Sequence, residues 1–137
     1  MIADLTGLPS TNASLLDEST AVAEAIALAA RATKRHKALL DPYLHPQNID
    51  VAKTRSGPLG IALGELSFES LNIDKDVAAV VVQYPDTEGR IRNLDKLIAK
   101  AHENGVSIFM DFPREHTTFL HYWESSKVVY HLHHSLL

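Results

Sequence analysis

The chain has 137 residues, 45% of them hydrophobic, with a net charge of −4 and a pI near 6.0. That is enough chain for one modest core, and it offers no electrostatic ground for nucleic acid or an anionic membrane as partner. The absence of cysteine excludes disulfides and thiolate zinc sites, and no run approaches the roughly 20 apolar residues a membrane span needs.

Residues 1–11 read as a short helical or extended lead-in ending at Pro9-Ser10-Thr11, because proline disfavours helix in the residue before it. Met1-Ile2-Ala3-Asp4 carries an early acid and no basic region, so it is not read as a targeting segment. A long helix is then predicted from the block Asn12-Ala13-Ser14-Leu15-Leu16-Asp17-Glu18 to about Thr33. Asn12 and Ser14 offer side-chain oxygens to the free N–H groups of its first turn, and Asp17 and Glu18 set negative charge against its positive end. Its interior is rich in alanine, so other backbone can approach closely. Arg31, Lys34, Arg35 and Lys37 suit its negative end.

Ala38-Leu39-Leu40, closed by Asp41-Pro42, predicts a buried strand, and a helix follows from about Pro46 until Gly57-Pro58. Gly60–Leu66 reads as a weak strand. Val77–Gln83 reads as a strong one, apolar on both faces and ended by a turn through Pro85 and Gly89. From Asn93, Leu94, Leu97, Ile98 and Ala101 recur at helical spacing up to Asn104-Gly105, and Val106-Ser107-Ile108 begins another strand. Strands alternating with helices at these separations imply βαβ units, hence an α/β fold whose parallel sheet carries helices on its faces.

Several motifs, in one order, resemble the P protein of the glycine cleavage system, glycine decarboxylase. They are Asp4-Leu5-Thr6-Gly7-Leu8, the Asn12–Glu18 block with Thr20, Ala21 and Glu24, Asp41-Pro42 with His45-Pro46-Gln47, Thr54-Arg55, and Gln83-Tyr84-Pro85-Asp86-Thr87-Glu88-Gly89. The resemblance covers residues 1–108 and points to the N-terminal half of that family, with Met1 internal to the parent. It implies a truncated part of the large domain of a fold-type I pyridoxal-phosphate-dependent enzyme, a mostly parallel sheet with flanking helices. It further implies a parent that decarboxylates glycine with pyridoxal phosphate and passes the aminomethyl group to the lipoyl arm of the H protein. The parent is expected to be dimeric, with this segment set against the C-terminal half of the P protein. Its compartment is mitochondrial in a eukaryote and cytoplasmic in a bacterium. A catalytically inactive isoform that pairs with an intact half is the alternative reading.

In that family the lysine holding the cofactor lies in the other half, and none of the seven lysines here stands in a matching motif. No catalytic residue is therefore assigned. Asn12 and Ser14, at the expected helix start, are the candidate phosphate contacts beside their plain capping role, and His45, just after a strand, is placed to face a cofactor cleft. After Ile108 the composition changes: residues 109–137 hold six of the nine aromatics, five of the eight histidines and none of the six glycines. That segment reads as a divergent tail outside the family fold. Asp111 stands about two residues out of register with the family pattern and receives no role. His131-x-His133-His134 is read as an adventitious metal binder, so no metal site is assigned.

Overall fold

Val77–Gln83 is apolar up to its final glutamine and buried at every residue, as expected of a strand covered on both faces. A computed structural model of the chain describes residues 10–13, 17–111 and 128–132, with side chains for 17–111. It places this strand, β4, inside a sheet with β1 (Ser10–Ala13), β2 (Lys37–Leu40), β3 (Ala62–Glu65), β5 (Ser107–Asp111) and β6 (Val128–Leu132). The order is β1-β6-β5-β4-β2-β3 and every pairing is parallel. Between strands run α1 (Glu18–Thr33), α2 (Pro46–Ser56) with a 3-10 turn at Gly57–Leu59, and α3 (Asp95–Glu103).

The side-chain alternation of the strands divides the core into two layers. On one face Val22, Ile26, Ala29 and Ala30 of α1 and Ala52 of α2 pack against Ala38, Leu40, Ala78, Val81 and Phe109. On the other, Leu94, Leu97, Ile98 and Ala101 of α3 pack against Leu39, Val80, Val82, Ile108 and Met110. Alanines meet alanines beneath α1, which is how a thin helix comes to lie close to the sheet. At the edge, a Cβ added to Gly64 of β3 would sit 3.0 Å from Leu39 Cδ2, so the weak strand keeps glycine where it approaches the core. Arg35 ties the amino end of the sheet together: its Nη1 donates to the carbonyls of Val77 (2.9 Å), Asn104 (3.2 Å) and Gly105 (3.0 Å).

One boundary differs from expectation. The long helix starts at Glu18, not at Asn12, and its cap is Asp17, an extended residue whose carboxylate accepts the Thr20 N–H at 2.7 Å. Asn12 lies in β1, where its backbone pairs with His131 of β6, so the ladder claims it before any helix can. Ser14 lies outside the described residues. The sheet also draws on the segment read as divergent, since Phe109–Asp111 completes β5 and Val128–Leu132 forms β6 between β5 and β1.

Candidate functional site

The strand order reverses between β2 and β4: β3 continues to one side of β2, while β4, β5 and β6 run to the other. In an open parallel sheet the crevice at the carboxyl ends of the strands beside such a reversal is where ligands bind. Here it is lined by Asp41 and His45 after β2, Gln83 at the end of β4, Asp86–Arg92 beyond it, and Asp111 at the end of β5.

Asn48, fully buried on the first turn of α2, organises one side. Its Nδ2 donates to Glu18 Oε1 at 2.6 Å and to Asp111 Oδ2 at 2.9 Å, and its Oδ1 accepts from Ser19 Oγ at 2.6 Å. Both amide hydrogens thus go to carboxyl groups. Burial pushes the Asp111 carboxyl well above the usual carboxylate range, and the hydrogen bond and like charge of Glu18 push it further, against a smaller opposite pull from Asn48. A hydrogen bond between two carboxyl groups requires that one keep its proton.

His45 sits on the other side. Its backbone N–H donates to Gln83 Oε1 at 2.9 Å; its Nε2 lies 3.2 Å from Gln83 Nε2 and its Nδ1 3.0 Å from Thr87 Oγ1. Because Gln83 Nε2 can only donate, His45 Nε2 accepts and the ring proton is assigned to Nδ1. From there the chain runs through the Thr87 hydroxyl to the Tyr43 carbonyl at 2.7 Å. Both ring nitrogens are engaged, so the surface the imidazole can offer a ligand is its face.

Arg92 closes the crevice. Its guanidinium lies 2.7 Å from Asp86 Oδ2 and 3.6 Å from Asp41 Oδ2, with its carbon 4.4 Å and 4.7 Å from the ring centres of Tyr43 and Phe68. Asp86 Oδ1 accepts the N–H groups of Glu88 and Arg90, and Asp41 Oδ1 accepts that of Tyr43. Burial raises the Asp41 carboxyl and the charge of Asp86 adds to it; the Tyr43 N–H and Arg92 pull it back. Each acid therefore fixes a loop, and Arg92 joins the two loops.

Of the residues singled out from the sequence, the structure brings His45 to this crevice, whereas Asn12 is in β1 and Ser14 is not described. Sequence reasoning passes over Asn48 and Arg92 and gives Asp111 no role. Asp111 carried a signal: an acid closing the apolar run Val106–Met110, where a buried strand would end.

Two solved structures of low identity show the class of fold. A protein from Campylobacter jejuni described as an O-acetylhomoserine (thiol)-lyase, carrying N′-pyridoxyl-lysine-5′-monophosphate, superposes with a TM-score of 0.61 at 13% identity, covering 80% of this chain and 28% of that one. A cystathionine γ-lyase from Micromonospora echinospora superposes at 0.59 and 15%, covering 80% and 30%. The fold is that of the large domain of fold-type I pyridoxal-phosphate-dependent enzymes.

Sequence similarity is more specific. The family profile of the glycine cleavage system P-protein matches residues 1–113, and the chain belongs to that family. Among its relatives, the mitochondrial glycine dehydrogenase (decarboxylating) of Homo sapiens is 49% identical over 107 residues, which are 77% of this chain and 10% of that protein. The Prochlorococcus marinus protein of the same name is 46% identical over 106 residues, 75% of this chain and 11% of that one. A crystal structure of inhibitor-bound glycine decarboxylase (P-protein) matches with a TM-score of 0.73 at 34% identity, covering 80% of this chain and 26% of that one. The chain spans about a tenth of the length of the curated relatives it matches.

Among the described residues the crevice offers no anchor of its own for pyridoxal phosphate. Among the described residues no lysine stands at the carboxyl end of the sheet: Lys34, Lys37 and Lys75 are at its amino end, and Lys53, Lys96 and Lys100 are exposed on α2 and α3. The first turn of α1 presents Asp17 and Glu18, whose charge opposes an anion there.

Proposed function

We propose that this chain is scaffold from the N-terminal half of a P protein. In this reading it positions the rest of the polypeptide and takes no covalent part in the reaction. The parent would decarboxylate glycine with pyridoxal phosphate, which supplies the electron sink, and pass the aminomethyl group to the lipoyl arm of the H protein. Its site would lie in the C-terminal half, with the two halves packed together in a dimer. Mitochondrial and bacterial relatives both occur, which supports a mitochondrial protein in a eukaryote and a cytoplasmic one in a bacterium.

The observation that carries the reading is the state of the carboxyl-end crevice. Asn48 divides its amide among Glu18, Ser19 and Asp111, and Arg92 pairs with Asp86 and lies 3.6 Å from Asp41, so these polar groups are engaged by the fold, with Asp86 Oδ2 held by its ion pair to Arg92 alone. Of the sequence-derived cofactor contacts, His45 can offer its ring face to a cofactor held from the other half. Asn12 would act from β1 and not from a helix start, and Ser14 keeps its assignment only as part of the resemblance.

The test is isotopic exchange between labelled bicarbonate and the carboxyl group of glycine, with pyridoxal phosphate and lipoylated H protein supplied. The chain alone should give no exchange above the free-cofactor background, and exchange should appear when an intact C-terminal half is added. Exchange by the chain alone would refute the scaffold role.

A further inference from the structure

The amino end of the sheet, opposite the crevice, holds a second feature. The end of α1, the turn into β2 and the 3-10 turn before β3 border an open groove of about 360 Å³. Ala27, Ala30, Leu59 and Ile61 form its apolar floor, and Arg31, Lys34 and His36 stand around it. The neighbouring basic residues are engaged: Lys37 lies 3.9 Å from Asp74, and Arg35 donates to three backbone carbonyls. The side chains of Arg31, Lys34 and His36 make no hydrogen bond or ion pair among the described residues. Three nitrogen-bearing side chains are thus gathered over apolar surface in a chain whose net charge is −4.

We propose that this groove binds a small amphipathic anion, a phosphate or carboxylate group on a short apolar body. The volume is at the lower end of the roughly 300–1,000 Å³ of small-molecule sites, which suits a head group and about six carbons. Arg31 can take two oxygens of the head in a bidentate contact and Lys34 can add a point charge, while the body displaces water from Leu59 and Ile61. Leu59, half-exposed at 53%, is the lining side chain with most apolar surface to gain from cover. The inference goes beyond the scaffold role and does not depend on it.

The test titrates hexyl phosphate, inorganic phosphate and hexanol separately into the 137-residue chain, followed by calorimetry and by the methyl resonances of Ile61 and Leu59. Hexyl phosphate should saturate with a Kd near or below about 1 mM, and each half-ligand should bind at least about tenfold more weakly. The double variant Arg31→Gln, Lys34→Gln should weaken hexyl phosphate about tenfold or more. Both side chains are exposed, so the thermal transition should fall only by the few degrees that losing their charge at the negative end of α1 implies. Ile61 is 6% exposed, so its methyl groups also report whether the groove exists in solution. Inorganic phosphate binding as tightly as hexyl phosphate, a double variant that binds normally, or Ile61 methyl groups that hexyl phosphate does not move or that lack the dispersion of a buried side chain would each overturn the proposal.

Discussion

Replacing Asn48 by alanine should cost more than any surface substitution in this chain, and the cost should grow with pH. Asn48 is fully buried and makes three side-chain hydrogen bonds: two donated to the Glu18 and Asp111 carboxyl groups and one accepted from Ser19. A hydrogen bond to a charged group contributes about 1.5–3 kcal/mol and a neutral one about 1 kcal/mol, and a buried partner left unpaired adds its desolvation cost. Glu18 reaches the edge of the cluster and can recover water; Ser19 and Asp111, 8% and 3% exposed, cannot. A loss of about 3–5 kcal/mol follows, a large share of the roughly 5–15 kcal/mol that stabilises a domain. In a chain of this size that is about 10–15 °C in Tm.

The pH dependence separates this account from loss of packing alone. The Asn48 amide favours the ionised form of Asp111, so its removal raises that carboxyl further and penalises the variant most where Asp111 must ionise. Urea unfolding of wild type, Asn48→Ala and Asn48→Asp at pH 4.5 and pH 8 is the assay. Asn48→Asp keeps the shape but sets a third carboxyl against two, so it should approach wild type at the lower pH and fall below Asn48→Ala at the higher. A loss from Asn48→Ala below about 1 kcal/mol, or equal losses at both pH values, would refute the reasoning.

Other substitutions test the remaining contacts. Asp111→Asn should flatten the pH profile of stability. In the wild type the folded-state value is raised above the unfolded one, so the contribution of the protonated acid is present below the unfolded value and is lost as pH rises through the folded one; unfolding from pH 4 to pH 9 in both proteins checks the sign. Arg92→Met should destabilise by about 3–5 kcal/mol, because it leaves Asp41 and Asp86 buried without their shared cation, and adding Asp41→Asn to that variant should recover part of the loss in thermal melts. Gly64→Ala should lower stability by about 1–2 kcal/mol through contact with Leu39, and Leu39→Val in the same chain should relieve it.

The elements legible in the sequence are those whose signal is local. β4 is an apolar run of valine and alanine between turns, α3 shows a clear apolar repeat ahead of Asn104-Gly105, and both fall where the pattern puts them. The start of α1 was misplaced because Asn12, Ser14 and Asp17 offer the same kind of oxygen to a helix end. What decides among them is the pairing of β1 with β6, whose residues are distant in the chain. Asn48 was missed for a related reason: on its own helix it is an unremarked polar residue, and only the parallel crossover brings Glu18, Ser19 and Asp111 to it. Arg31 and Lys34 show the opposite case. The negative end of α1 accounts for both of them locally, yet the fold slides Leu59 and Ile61 beneath their side chains, and a residue that already satisfies a local rule acquires a second surface to serve.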